Sequence, residues 1–148
     1  LDGPPPPGER RRSTLLFAGS VATNAARRPW VEAMHRAGEP ACRLLLFDKA
    51  TRKRFDASAL EGALRASTFS LQLKGHVGPR KAIFDSIRCG ALPVLAAERT
   101  PLPFSDEIDY STFAVHVPER ANATRVLAAL ARFSPGQLRR RREAMAKA

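Results

Sequence analysis

Apolar and polar positions alternate along this chain with two periods, and the changes of period predict strands and helices in turn. Thr14-Leu-Leu-Phe-Ala18 is a short apolar run closed by Gly19, the pattern of a buried strand. Between Pro29 and Arg36, Trp30, Val31 and Met34 recur at helical spacing, with Ala37 beyond them and Gly38 as the stop. Arg43-Leu-Leu-Leu-Phe47 predicts a second strand, and a basic loop follows from Asp48 to Arg54. Asp56 or Ser58 can cap a helix running through Ala66, with Leu60, Ala63 and Leu64 as its buried stripe.

The clearest pattern lies between Ser67 and Phe104. Thr68-Phe-Ser-Leu-Gln-Leu73 alternates apolar and polar residues, which predicts a strand with one face buried. Gly75 and Gly78 punctuate it, and Pro79 suits a first helical turn, where its missing N–H has no intrahelical partner. Ile83, Phe84 and Ile87 then predict a helix with one side on a sheet. Gly90 ends the helix, and Leu92-Pro-Val-Leu-Ala96 forms the next strand. Two strands joined by one helix make a βαβ unit. Its glycine loop delivers a helix N-terminus to the C-terminal edge of the sheet, where unpaired N–H groups and the helix dipole favour an anion. Arg80 adds a cationic fork there, and a diphosphate is the natural candidate.

Downstream, Pro101-Leu-Pro-Phe104 predicts a rigid loop and Thr112-Phe-Ala-Val-His-Val117 a further strand. Asn122 or Thr124 can cap a helix from Arg125 to Phe133, and Ser134-Pro135 restarts one that enters the arginine cluster. Strands alternating with helices predict an α/β fold, a Rossmann-like parallel sheet with helices on both faces. The domain is expected over residues 14–148, preceded by a Pro- and Arg-rich linker over residues 1–13 that holds Pro4-Pro-Pro-Pro7.

A length of 148 residues suits one domain and is short for a two-domain enzyme. The chain has no apolar run long enough to span a membrane and no signal-like start. Beginning at Leu1 rather than Met, it reads as a fragment that a targeting segment or partner domain would precede. The net charge of +11 invites polyanions. Much of the excess lies in Arg10-Arg-Arg12 and Arg139-Arg-Arg-Arg142, both read as solvated terminal charge. Zinc spacing, an aromatic RNA-binding motif and a helix-turn-helix signature are all missing, so nucleic acid is not an expected partner. The two cysteines, Cys42 and Cys89, each adjoin an apolar segment; buried free thiols are the default reading and a single disulfide the alternative.

Ser67-Thr-Phe-Ser-Leu-Gln-Leu-Lys-Gly-His76, followed by Arg80-Lys-Ala-Ile-Phe-Asp-Ser-Ile-Arg-Cys-Gly-Ala-Leu-Pro-Val94, resembles the exostosin-like glycosyltransferases. The similarity is greatest to the plant and algal branch that includes xyloglucan galactosyltransferases, where S-x-F-C-L-Q-P-x-G-D precedes R-R-S-x-F-D-S-x-x-x-G-C-I-P-V. Leu15-Leu-Phe-Ala-Gly19 with Arg27 or Arg28 upstream, and Leu102-Pro-Phe104 with Asp109-Tyr-Ser-x-Phe-Ala-Val115 downstream, extend the resemblance over about residues 14–131.

The resemblance implies the C-terminal, donor-binding half of a GT-B glycosyltransferase that inverts anomeric configuration. Its substrate would be a nucleotide-sugar, usually a UDP-sugar, with a glycan or glycoprotein as acceptor and neither a metal nor another cofactor. Arg80 would stabilise the departing diphosphate and Asp85 would bind donor hydroxyls. Gly75, His76, Gly78 and Lys81 would line the phosphate loop, with Arg27 as a further phosphate contact. His76 replaces the family aspartate, Ala82 its serine, and Ser70 and Ala91 its two cysteines, which leaves activity open. The family also implies a Golgi membrane protein facing the lumen.

Each of these residues has a plainer reading. Asp85 can pair with Lys81 on a solvated helix face, and Arg27 can be a surface arginine. His76 can be simply exposed, while His35 and His116 read as structural and Trp30 as packing on the sheet. No residue reads as the general base that an inverting transfer needs, so base and acceptor site are expected in a missing N-terminal half and this chain alone is expected not to turn over. The alternatives are a non-catalytic basic module for polyanions and a degenerate glycosyltransferase scaffold.

Overall fold

A computed structural model describes residues 11–47, 56–75, 81–96 and 101–148. The expected basic loop after Asp48, most of the expected linker, and His76, Gly78, Pro79 and Arg80 lie outside the described residues.

Among the described residues, five strands form one parallel sheet: β1 (Ser13–Gly19), β2 (Cys42–Leu46), β3 (Ser67–Leu73), β4 (Leu92–Ala96) and β5 (Val115–His116), in the order β2-β1-β3-β4-β5. The same residues form the α-helices α1 (Arg28–Ala37), α2 (Ala57–Arg65), α3 (Lys81–Arg88), α4 (Ala123–Ala131) and α5 (Pro135–Lys147). The expected α/β class is therefore the observed one. Parallel register sets Leu15 beside Phe69, and Phe69 beside Leu92. Those side chains face α1, α4 and α5 in a core with Trp30, Met34 and Leu130. The opposite face carries Leu16, packed with Ala63 and Leu64 of α2 and with Cys89 and Ala91 around the end of α3.

Local chemistry explains where the helices begin and end. Asp56 accepts hydrogen bonds from the backbone N–H groups of Ser58 and Ala59, so it, not Ser58, caps α2. Asn122 caps α4, and Ser134 with Gln137 forms a reciprocal capping box on α5. Gly90, at φ 71°, closes α3 with the Ala91 N–H on the Ser86 carbonyl and its own N–H on the Ile87 carbonyl. A left-handed residue is needed to fold the chain back in this way, and glycine adopts it without steric cost.

Several expectations are corrected. Ser70 and Gln72, read as the open side of a half-buried strand, are both buried, because helices cover both faces of the sheet. Phe84, expected on the sheet, is 37% exposed. The buried face of α3 is set by Ile83, Ser86 and Ile87, and Phe84 lies about a quarter turn away from it. Its ring instead meets Phe104 edge-on at 6.1 Å. The strand expected from Thr112 shrinks to Val115–His116, since Asp109 accepts from the Ser111 N–H and caps a 3₁₀ turn over Tyr110–Thr112.

The basic runs are corrected too. Strand β1 starts at Ser13, one residue inside the stretch assigned to the linker. The Arg11 guanidinium donates to the carbonyls of Leu64, Ser67 and Cys89 at 3.0, 2.8 and 3.2 Å. At the other end of the chain, Arg142 donates to the Gly90 carbonyl at 3.3 Å and Arg141 to that of Ala114 at 3.0 Å. The ends of α2 and α3 present carbonyls without intrahelical partners; Arg11 satisfies those of Leu64 and Cys89 and Arg142 that of Gly90, while the Ser67 carbonyl on Arg11 starts β3 and the Ala114 carbonyl on Arg141 precedes β5.

Candidate functional site

The strand order changes direction between β1 and β3. The chain leaves β1 towards the face covered by α1 and leaves β3 towards the face covered by α3. Loops diverging at the C-terminal ends of two such strands make the usual ligand crevice of an open parallel sheet.

Arg27 stands at this divergence. Asn24 accepts from the Ala26 N–H and starts a 3₁₀ turn that ends on Arg27. The guanidinium then donates to Ser20 carbonyl oxygen at 2.7 Å, to that of Lys74 at 3.0 Å and to that of Leu73 at 3.4 Å. It also lies over the Phe17 ring, 5.6 Å from the centroid. A side chain on Gly19 has little room, since a Cβ there would stand 3.0 Å from the Phe17 ring and 3.3 Å from an Arg27 terminal nitrogen. Burial pushes the Arg27 pKa down, yet arginine stays protonated. Its hydrogen-bond partners among the described residues are neutral carbonyls, which orient the charge without cancelling it. Arg27, expected as a phosphate contact or a plain surface residue, thus ties the exit of β1 to the exit of β3.

Gly75 is the last described residue of the loop leaving β3, next to the Lys74 carbonyl that Arg27 holds. Lys81 opens the described part of α3, and its Nζ lies 2.7 Å from Oδ2 of Asp85, one turn on. The two ends differ in exposure, 81% for Lys81 against 18% for Asp85. The pairing is the plainer of the two roles read for Asp85, but on a largely covered carboxylate rather than an open helix face. The structure thus brings Arg27 and Gly75 together at the end of β3 and pairs Lys81 with Asp85 on α3.

Beneath these residues is a polar contact that alternation did not announce. Gln72 Nε2 donates to Ser70 Oγ at 2.9 Å and to Ser86 Oγ at 3.1 Å, and Ser86 Oγ donates to the Ala82 carbonyl at 2.7 Å. The only signal was polarity itself, at Ser70 and Gln72 in a strand and Ser86 in an apolar helix face. Ser86 lies on the same helix as Lys81 and Asp85, so this bond fixes their height along β3.

Other expected residues lie elsewhere. Trp30 is buried and its Nε1 donates to the Glu119 carbonyl at 3.5 Å, so it packs on the sheet as expected. His35 and His116, read as structural, are exposed on α1 and β5. Cys42 and Cys89 are free and buried. Among the described residues no cluster of three or more His, Cys, Asp or Glu could hold a metal ion, and no helix is long and apolar enough to cross a membrane.

A single parallel sheet sheathed on both faces, with a cation held at its switch point, defines a Rossmann-like domain. The chain matches the Exostosin GT47 domain over residues 3–132 and belongs to that glycosyltransferase family. Among curated proteins the chain has no match.

Proposed function

We propose that this domain is the donor-binding half of an inverting glycosyltransferase, taking a nucleotide-sugar, in particular a UDP-sugar, and serving a glycan or glycoprotein acceptor. The observation that carries the reading is Arg27, whose charge is held across the β1/β3 switch point by carbonyls of Ser20, Leu73 and Lys74. The donor diphosphate would lie in front of it, against the loop that starts at Gly75.

Cleavage of the sugar–phosphate bond builds negative charge on the diphosphate, and fixed cations that meet this charge lower the barrier. In this reading Arg80 makes the direct contact, and Arg27 adds its field at the end of β3. Asp85 accepts from donor hydroxyls through the oxygen that Lys81 leaves open, or after Lys81 turns to the phosphates. The acceptor and the base belong to a second, N-terminal half. No metal enters this scheme, since arginine and helix dipole neutralise the leaving group.

The similarity of its central phrase to the plant and algal branch favours a hexosyl or pentosyl donor, and family membership favours the lumenal side of a Golgi membrane. Protease protection of the tagged protein in sealed Golgi vesicles tests the placement, and digestion without detergent would exclude it. Calorimetric titration with UDP, UDP-sugars and ADP tests the binding: saturable binding of the uridine nucleotides with little for ADP is expected. Equal affinity for all, falling steeply with salt and lost when residues 139–142 are neutralised, would favour the polyanion-binding alternative.

A further inference from the structure

Where the loop after β5 enters α4, the chain reads Asn122-Ala123-Thr124. An asparagine followed two positions on by a hydroxyl residue, with a residue other than proline between them, is the acceptor pattern for an N-linked oligosaccharide. The chain holds one other asparagine, in Asn24-Ala-Ala26, where the hydroxyl is missing. The pattern therefore occurs once. Three residue types alone do not make an acceptor; exposure and a free amide nitrogen do.

Both conditions are met. Asn122 and Thr124 are exposed, and of the three residues only Ala123 is buried. Asn122 is the cap of α4 in extended backbone, at φ −67° and ψ 110°, and its Oδ1 accepts from the Arg125 N–H at 3.1 Å. Capping thus engages the oxygen of the amide and not its nitrogen. Among the described residues neither Nδ2 of Asn122 nor the Thr124 hydroxyl makes a hydrogen bond. An N-linked sugar replaces one hydrogen on Nδ2 and leaves Oδ1 an acceptor, so the cap survives the modification. The loop itself is held by other groups: the Trp30 Nε1–H donates to the Glu119 carbonyl at 3.5 Å and the Ala121 N–H to that of Pro118 at 3.0 Å.

We propose that Asn122 is a modification site that carries an N-linked oligosaccharide. This rests on the lumenal placement proposed for the domain, because a chain bound for the Golgi lumen crosses the endoplasmic reticulum, where the transfer is made. The co-reactant is an oligosaccharide carried on a polyprenyl diphosphate. A bond forms between Nδ2 and the anomeric carbon, the bond from that carbon to the diphosphate oxygen breaks, the lipid diphosphate leaves, and Nδ2 gives up one proton; nothing is oxidised or reduced. Helix capping alone accounts for Oδ1 and is served as well by Asp or Ser. It gives no role to Nδ2 or to the Thr124 hydroxyl, and the same kind of cap at Asn24, where Oδ1 accepts from the Ala26 N–H, is followed by no hydroxyl residue.

The test is expression of the full chain in cells with a secretory pathway, followed by treatment with peptide N-glycosidase and read by gel mobility and by mass spectrometry of the peptide around residue 122. A glycosidase-removable shift is expected, with aspartate left at position 122 after treatment. Asn122→Asp, which keeps the cap, and Thr124→Ala, which keeps Asn122, should each abolish this shift with the fold intact by circular dichroism, and Thr124→Ser should retain it. A second preparation of the same chain, given a cleavable secretion leader, reaches the lumen whatever its own address. An unmodified Asn122 in that preparation, or a shift at residue 122 that survives Thr124→Ala, overturns the proposal. Failure of the placement has a different signature: Asn122 modified with the added leader, but unmodified and open to protease without it. That result overturns the lumenal placement and, with it, the modification of the natural protein.

Discussion

The Gln72 amide donates to the Ser86 hydroxyl at 3.1 Å, and through this bond a buried side chain of β3 sets the seat of α3. Gln72→Ala is expected to destabilise the fold by about 1–3 kcal/mol, because it removes the donor to both serine hydroxyls and leaves space in a packed layer. Urea denaturation reads this directly, and an unchanged midpoint would remove Gln72 from the account of how α3 is held.

At Arg27 the expected substitution effect is two-fold. Lysine keeps the charge but cannot reach three carbonyls that one guanidinium spans. Arg27→Lys should therefore lower stability by about 1–3 kcal/mol and weaken UDP binding as the loop at Gly75 loosens. Parallel denaturation and calorimetry check it; full retention of both would show that the carbonyl contacts contribute little.

The two basic runs give a sharp comparison. Arg11→Ala removes a guanidinium from three carbonyls and should cost about 2–4 kcal/mol. Arg139→Ala, on an exposed position of α5, should stay within about 0.5 kcal/mol. An effect of Arg11→Ala as small as that of Arg139→Ala, measured by chemical denaturation, would return Arg11 to solvated charge.

Cys42 gives a pH dependence. Burial raises its thiol pKa from 9.0 to about 11. The folded state thus holds the proton more tightly than the unfolded chain, so the contribution to stability is full below about pH 9 and is lost as the pH rises towards 11. The parent should lose more stability than Cys42→Ala between pH 8 and pH 10.5. Equal losses in the two proteins would show that the thiol titrates as a free one.

How far the fold could be read from the chain depends on which face of each element was in question. Period and punctuation sufficed for β1, α2, the βαβ unit and the capped helices, because Gly19, Asp56, Gly90, Asn122 and Ser134 act locally. They failed where a residue's partner is distant in sequence. Ser70 and Gln72 look like a solvent face until α3 supplies Ser86, and Arg11 looks solvated until the ends of α2 and α3 supply their carbonyls. The site followed the same rule: Lys81 and Asp85 pair across one helical turn and were legible as neighbours. Arg27 meets Leu73 and Lys74 only through the strand order, which no local pattern states.

The central claim is that the loop after β3 holds a nucleotide diphosphate, and Arg80 is the residue assigned to it. Calorimetry with UDP on the parent, Arg80→Ala and Arg28→Ala decides the matter. The account predicts saturable binding to the parent, a loss of about tenfold or more for Arg80→Ala at an unchanged unfolding midpoint, and little change for Arg28→Ala. UDP binding that is absent from the parent, or undiminished in Arg80→Ala, would contradict it.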